Sequence, residues 1–288
     1  MSVPRPTILI SAAAPPPRLL DSALGPFRLL ARHAFPIVQM TRREVAARYR
    51  GSVAGVLWSF VQPLLMLGVY TFLFGFLFRP RAAAATPADT VGFAETLFVG
   101  LILHGMLAEC LGRAPTQILG NPNYVKKFVF PLEILAWPMV FSALVQLGFG
   151  VLVLLGWHLA SWQAVPWTAL LLPLVVAPMA VLTAGLVWFL SALGVFVRDI
   201  GQVIGLFVTL LMFLAPVLYP LEALPEAARP WVWLNPLTLP VVEARRVLLH
   251  GQVPDWGALG LYALAAFVVA WIGYHVFARL KRAFADVI

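Results

Sequence analysis

The sequence predicts an all-α membrane protein: six transmembrane helices, an amphipathic N-terminal helix at the membrane interface, and re-entrant half-helices between spans five and six. Three observations lead there. The 288 residues are 61% hydrophobic and only 11% charged, with a mean hydropathy of +0.91, whereas a soluble domain carries about 25% charged residues. Residues 41–78 (TRREVAARYRGSVAGVLWSFVQPLLMLGVYTFLFGFLF) open on Arg42, Arg43, Arg48 and Arg50 and then hold no charge until Arg79. About 20 apolar residues rising about 1.5 Å each cross a hydrocarbon core of roughly 30 Å. The third observation is the uneven placing of Lys and Arg between the segments that such spans define.

Taken in order, residues 1–26 read as a mobile, proline-rich cytoplasmic tail. The short apolar run 7–14 has only Arg5 ahead of it and Pro15, Pro16 and Pro17 behind it, which is not the pattern of a secretory leader. Residues 27–52 set Ile37, Val38, Met40, Val45 and Tyr49 against the four arginines, with Pro36 starting or breaking a helix. Such a mixed helix suits the inner leaflet surface rather than a crossing. The first span follows at 53–78 after the small residues Gly51, Ser52, Ala54 and Gly55, and Gln62-Pro63 inside it predicts a local break in backbone pairing.

A short outer loop, 79–92, leads into a second span at 93–114. That span holds Glu109 and Arg113 four residues apart, a spacing that lets them pair near the cytoplasmic end. A structural pair is favoured there over a transport role. The segment 115–135 is cytoplasmic by Lys126 and Lys127, yet Tyr124, Phe128, Val129 and Phe130 make it too apolar for a solvated loop, so membrane surface or a partner should cover it. A third span at 136–157 returns outside, where Trp157, Trp162 and Trp167 mark a headgroup interface. The fourth span, 167–197, contains Pro173 and Pro178; a tight turn RDIGQ leads to the fifth, 203–219, which should be its antiparallel neighbour. Residues 220–255 are proline-broken yet apolar, and irregular backbone at membrane depth must be buried in protein or line a cavity; hence the re-entrant reading. The last span, 256–278, ends at Arg279, Lys281 and Arg282. This topology puts 15 Lys and Arg inside and 5 outside, the latter including Arg245 and Arg246, so both termini are expected in the cytoplasm. The same bias accounts for the net charge of +8 without nucleic acid.

Several chemistries have no residues to stand on. No GxxxxGK[ST] loop accompanies Lys126, Lys127 or Lys281, and no HExxH occurs among His33, His104, His158, His250 and His275. The single Cys110 rules out an intrachain disulfide and is expected to pack as a small apolar residue. Glu222, Glu226 and Glu243 read as solvated loop acids. No catalytic, cofactor or metal site is expected, and energy for active transport would have to come from another subunit. On the first span Trp58, Gln62, Met66, Tyr70 and Phe74 recur every fourth residue and share a drifting face. It could line a passage with flat surfaces for sugar rings, make a subunit contact, or simply pack between helices.

RYRGSVAGVLWSFVQPLLMLGVYTFLFGFLF, NPNYVKKFVFPLEIL, FVRDIGQVIGLFVTLLMFLAPVLYP and LNPLTLPVVEARRVLLHG occur in that order. Together they resemble the ABC-2-type permeases that export O-antigen, capsule and teichoic acid. The resemblance covers the chain from about residue 40 onward and leaves out the proline-rich N-terminus. It implies an ABC-2-type transmembrane domain over 53–288 in a bacterial inner membrane. It further implies a homodimer working with two copies of an ABC ATPase subunit that bind ATP and Mg, and a lipid-linked polysaccharide as substrate. The helix carrying Arg42, Arg43, Arg48 and Arg50 would be an interface helix touching the lipid headgroup or the ATPase, plain positive-inside anchoring being the alternative. Asn121, Pro122, Tyr124, Lys126 and Lys127 would form a coupling helix on the ATPase, and Trp58, Gln62, Tyr70 and Phe74 would line the translocation path. A drug or small-lipid exporter of the same superfamily, or a membrane scaffold for polysaccharide synthesis, are the competing readings.

Overall fold

The computed structural model describes residues 25–52, 54–73, 87–126, 131–161, 164–219, 221, 224–227 and 229–288. Phe74, Lys127, Glu222 and almost all of the expected tail lie outside the described residues. Among the described residues the chain is all helix and turn, with no strand. Two helices, α1 (Gly25–Arg32) and α2 (Ala34–Tyr49), precede a short 3₁₀ turn (Gly55–Leu57) and α3 (Trp58–Phe72). The joint between α2 and α3 needs positive φ at Gly51 (86°) and Gly55 (53°), a conformation that glycine alone adopts freely. Pro63 lies inside α3 and has no N–H to give the Ser59 carbonyl, so one backbone pair is missing at Gln62-Pro63 while the helix itself runs on to Phe72.

Four longer helices follow: α4 (Pro87–Arg113), then, after the short α5 (Pro122–Lys126), α6 (Ala136–Ala160) and α7 (Leu172–Phe196), and finally α11 (Trp256–Leu280). With α3 and its 3₁₀ turn, five helices among the described residues are long and apolar enough to cross a membrane. The expected fifth crossing, at 203–219, takes a different form. Helix α8 (Ile200–Leu214) has 15 residues, about 22 Å at 1.5 Å each and short of the roughly 30 Å core. It ends at Leu214, and turns from Ala215 and Pro216 follow. Nor is α8 chiefly a neighbour of α7: Val197 is extended (φ −119°, ψ 100°) and sends the chain out to lie mainly on α4.

The core is centred on α7, which packs most closely on α11. Lipid is as apolar as Leu, so helices in a bilayer associate through close backbone approach and polar contacts rather than hydrophobic drive. At this crossing Gly185 and Gly273 face each other. A Cβ on Gly185 would stand 2.5 Å from the Ala270 Cα, and one on Gly273 would collide with the Gly185 carbonyl. Trp188, fully buried, meets Trp137 and Tyr274 edge-on at 5.6 Å and donates its indole N–H to the Glu133 carbonyl at 2.7 Å. Cys110 is buried, as a small apolar residue would be.

Two charge assignments change. Between α8 and α11 the chain forms the short α9 (Arg229–Val232) and α10 (Thr238–Leu248). Arg245 of α10 is no loop charge: only 5% exposed, it donates Nε to the Thr96 carbonyl (2.9 Å), Nη2 to Val217 (3.0 Å) and Nη1 to Tyr219 (3.4 Å). Glu243 is likewise buried, accepting from Arg246 at 3.2 Å and from the Asp255 N–H at 3.0 Å. For Arg245 the reason is local: with α8 stopped at membrane depth, the carbonyls of Val217 and Tyr219 lie in turns without helical partners, and a side chain satisfies them. Asn235 adds a second donor to the Leu211 carbonyl at 2.9 Å, beside the Ala215 N–H that closes α8 at 3.1 Å.

Candidate functional site

The arginines of α2 do not act alike, because a helix turns its neighbours to different sides. Arg42, Arg43 and Arg50 are exposed. Arg48 lies on the side that meets α4 and α6, and gives both terminal nitrogens to the Glu109 carboxylate, one of these bonds at 2.8 Å, while Nη2 also reaches the Ser142 hydroxyl at 3.1 Å. The fork geometry of a guanidinium suits this bidentate pairing. Glu109 accepts in addition from Arg113 at 3.0 Å, the expected i,i+4 pair. Arg113 extends to Glu44 at 3.3 Å, and Ser142 donates to Glu44 at 3.0 Å. Beside this closed ring, the Tyr49 hydroxyl donates to Gln146 at 2.9 Å and accepts from Ser59. Two cations and two carboxylates thus neutralise one another where α2, α4 and α6 meet, and hydroxyls carry the junction on to α3.

Arg113 is also the last residue of α4, so the junction continues into the segment before α5. That segment is wedged rather than loose. Gln117 donates its amide to the Leu135 carbonyl at 2.7 Å and accepts from the Ser191 hydroxyl at 2.9 Å. A Cβ on Gly194 would collide with the Pro115 carbonyl, so α7 lies directly on this turn. Of the expected coupling residues, Asn121 and Pro122 are exposed and Tyr124 is half-buried. Asn121 bonds back to the Gln117 carbonyl at 2.9 Å and, with Tyr124, borders a cavity of about 320 Å³ shared with Arg43, Glu44 and Arg113. Lys126 closes α5.

Above the junction α3 stands away from α4 and α6 and leaves a cleft of about 280 Å³. Gln62, Met66 and Tyr70 of α3 face it. A second hollow of about 400 Å³, bordered by Trp58, Ser52 and Tyr49, shares Gln62, Glu109 and Gln146 with the first. The four-residue spacing on the first span therefore brings Trp58, Gln62 and Tyr70 along one groove, with Trp58 half exposed at its mouth. The other side of α3 is apolar and open: Leu65 and Phe72 are 60% and 61% exposed.

Sequence reasoning did not identify Glu44, Ser142, Gln146, Gln117 or Arg245. Ser142 and Gln146 carry a weak signal, polar side chains on an otherwise apolar helix, whereas Glu44 stands among arginines, Gln117 lies in a turn and Arg245 belongs to a stretch counted as an outer segment.

Residues 36–249 match the ABC-2 type transporter family. The chain is similar to the O-antigen export system permease protein RfbA of Myxococcus xanthus, 28% identical over 254 residues that cover 87% of this chain and 94% of that protein. It is also similar to an O-antigen export system permease protein RfbA of Klebsiella pneumoniae, 24% identical over 259 residues covering 88% and 94% of the two chains.

Proposed function

The chain belongs to the ABC-2 type transporter family, and from that premise we propose that it is the membrane permease subunit of an ATP-driven exporter of a lipid-linked polysaccharide of the O-antigen class. The observation that carries this is likeness along nearly the whole length of both chains to permeases named for O-antigen export. The absence of a phosphate-binding loop in the sequence supports an ATPase, with its ATP and Mg, on a separate subunit.

In this reading the chain lies in a bacterial inner membrane with both termini in the cytoplasm. It crosses six times, the fifth crossing being α8 prolonged by the turns up to Tyr219, and α9 and α10 re-enter from outside. It pairs with a second copy and with two ATPase subunits. Helix α2 is the interface helix, held by Arg48 to Glu109, while Arg42, Arg43 and Arg50 remain open to a headgroup or to the ATPase. Helix α5 with Asn121, Pro122, Tyr124, Lys126 and Lys127 rests on the ATPase, and its displacement reaches α7 through Gln117 and α2 through Arg113. The substrate passes the groove bordered by Trp58, Gln62 and Tyr70.

The test is depletion in the native host, with lipid-linked polysaccharide assayed on each side of the inner membrane. Accumulation inside with loss at the surface is expected. Unchanged surface glycan would redirect the reading to a drug or small-lipid exporter, and loss without accumulation to a synthesis scaffold.

A further inference from the structure

The basic residues around the end of α11 do not act alike. Arg279 and Arg282 are exposed, as charges that only mark the cytoplasmic side would be. Lys281 instead gives its ammonium to the Glu133 carboxylate. Glu133 stands in the 3₁₀ turn Leu132–Leu135, between α5 and α6, and is only 5% exposed. Its second carboxylate oxygen is buried and accepts no hydrogen bond among the described residues. A carboxylate kept this dry is costly unless a cation stands against it, and Lys281 supplies that cation.

The chain beyond Lys281 adds an apolar seat. After the 3₁₀ turn Lys281–Ala283 comes α12 (Phe284–Val287), which lies against α5 and α7. Phe284 is fully buried, edge-on to Phe277 of α11 at 5.4 Å and tilted against Phe196, the last residue of α7, at 6.0 Å. Helix α5 has five residues, far too few to hold a helix by backbone pairing alone, so its place is fixed by what it leans on. Among the described residues the helix it leans on most is α12. The segment between α4 and α6 is therefore held twice: by α7, through Gly194 at Pro115 and Ser191 at Gln117, and by the turns that close α11, through Lys281 at Glu133 and α12 at α5.

We propose that Lys281 and Phe284 are positioning residues for export: they brace α5 against α11, so that a push on α5 passes to α11 directly and not only by way of α7. This rests on the reading of α5 as the helix that meets the ATPase and deepens it. Without the brace α5 yields to the push by itself, and hydrolysis runs without moving the spans.

The probe is a nitroxide on Asn123→Cys, an exposed position of α5, in the full-length permease in phosphatidylcholine nanodiscs. Phe284→Ala should sharpen its electron paramagnetic resonance lines. Lys281→Met alone strands the buried Glu133 charge, so it is combined with Glu133→Gln; that double variant should free the label as Phe284→Ala does, and Lys281→Arg should keep the parent spectrum. In the exporter assembled with its ATPase subunit, glycan exported per ATP hydrolysed should fall severalfold in the double variant and in Phe284→Ala, with hydrolysis maintained, and Lys281→Arg should retain the parent ratio. A general loss of folded protein would lower both activities together and leave that ratio unmoved. An unchanged spectrum in both variants overturns the brace, and so does a freed label with an unchanged ratio. The spectrum is read on the permease alone, so a label freed as expected in a protein whose parent assembly moves no glycan supports the brace and refutes the export reading.

Discussion

Replacing Arg245 by Met tests whether the broken backbone beyond α8 is held by side chains. The guanidinium is 5% exposed and serves carbonyls of two separate segments, Thr96 on α4 and Val217 and Tyr219 after α8. Two of the bonds, at 2.9 and 3.0 Å, have ordinary length; the third, at 3.4 Å, is weak. Hydrogen bonds to a charged group contribute about 1.5–3 kcal/mol each, and an abandoned buried acceptor costs about 1–3 kcal/mol. Methionine keeps much of the length but donates nothing, so two strong bonds lost predict destabilisation of about 3–5 kcal/mol. Lysine can reach one or two of the carbonyls and should recover about half of that. The assay is equilibrium unfolding in mild detergent, with Arg42→Met as reference, since Arg42 is exposed and such surface changes stay within about 0.5 kcal/mol. Arg245→Met falling within about 1 kcal/mol of Arg42→Met would refute the clasp.

Other expectations concern the inner half. In a double-mutant cycle, Arg48→Met and Glu109→Gln should couple by about 1–3 kcal/mol in unfolding free energy, because the first removes both bonds of the bidentate pair and the second removes the charge and one of the two acceptors. Gly194→Ala should sharply reduce folded yield in the membrane, since its Cβ meets backbone of Pro115 that cannot turn aside; Gly68→Ala, with nothing within 4 Å, should leave yield unchanged. Gln117→Leu should leave the assembled exporter hydrolysing ATP while less glycan is exported per ATP, read by paired hydrolysis and export measurements. Cys110 should resist maleimide in the folded protein, whereas a cysteine at Met66, 47% exposed, should react.

The legible part of the fold was the part set by length and hydropathy. The long runs at 136–157, 167–197 and 256–278 contain α6, α7 and α11 with ends displaced by a few residues, because nothing but a helix satisfies twenty successive backbone groups in hydrocarbon. The spacing of Glu109 and Arg113 also gave its pair directly. What escaped was long-range. Arg48 and Glu109 are 61 residues apart, and Arg245 and Thr96 are 149 apart; neither separation leaves a local periodicity. The same limit explains the count of outer charges: an arginine next to a second arginine in a proline-broken stretch looks solvated until the carbonyls it serves come into view. Along α3 the four-residue spacing identified the groove face, but whether another helix covers that face is a fact of assembly and not of period.

The two sides of the molecule are held by different means, and this bears on what can move. Helix α7 meets α11 through Gly185 and Gly273 and meets the turn at Pro115 through Gly194, contacts so close that sliding in either direction brings backbone onto backbone. Packed glycine contacts of this kind are bistable at most, not continuously deformable. Helix α3 has no comparable contact: a Cβ on its Gly68 meets nothing, its outer side is open, and polar bonds from Ser59 to Tyr49 and onward to Gln146 tie its inner end. Side-chain hydrogen bonds between helices in a bilayer average about 0.6 kcal/mol, close to thermal energy. Displacement driven at the ATPase side would therefore be carried by α4, α6, α7 and α11 as a unit, and the gap between that unit and α3 is where it would appear. A cysteine pair joining Gln62 to Gln146 should on this argument arrest export while leaving hydrolysis intact. Export undiminished by this cross-link would show that α3 travels with the rest.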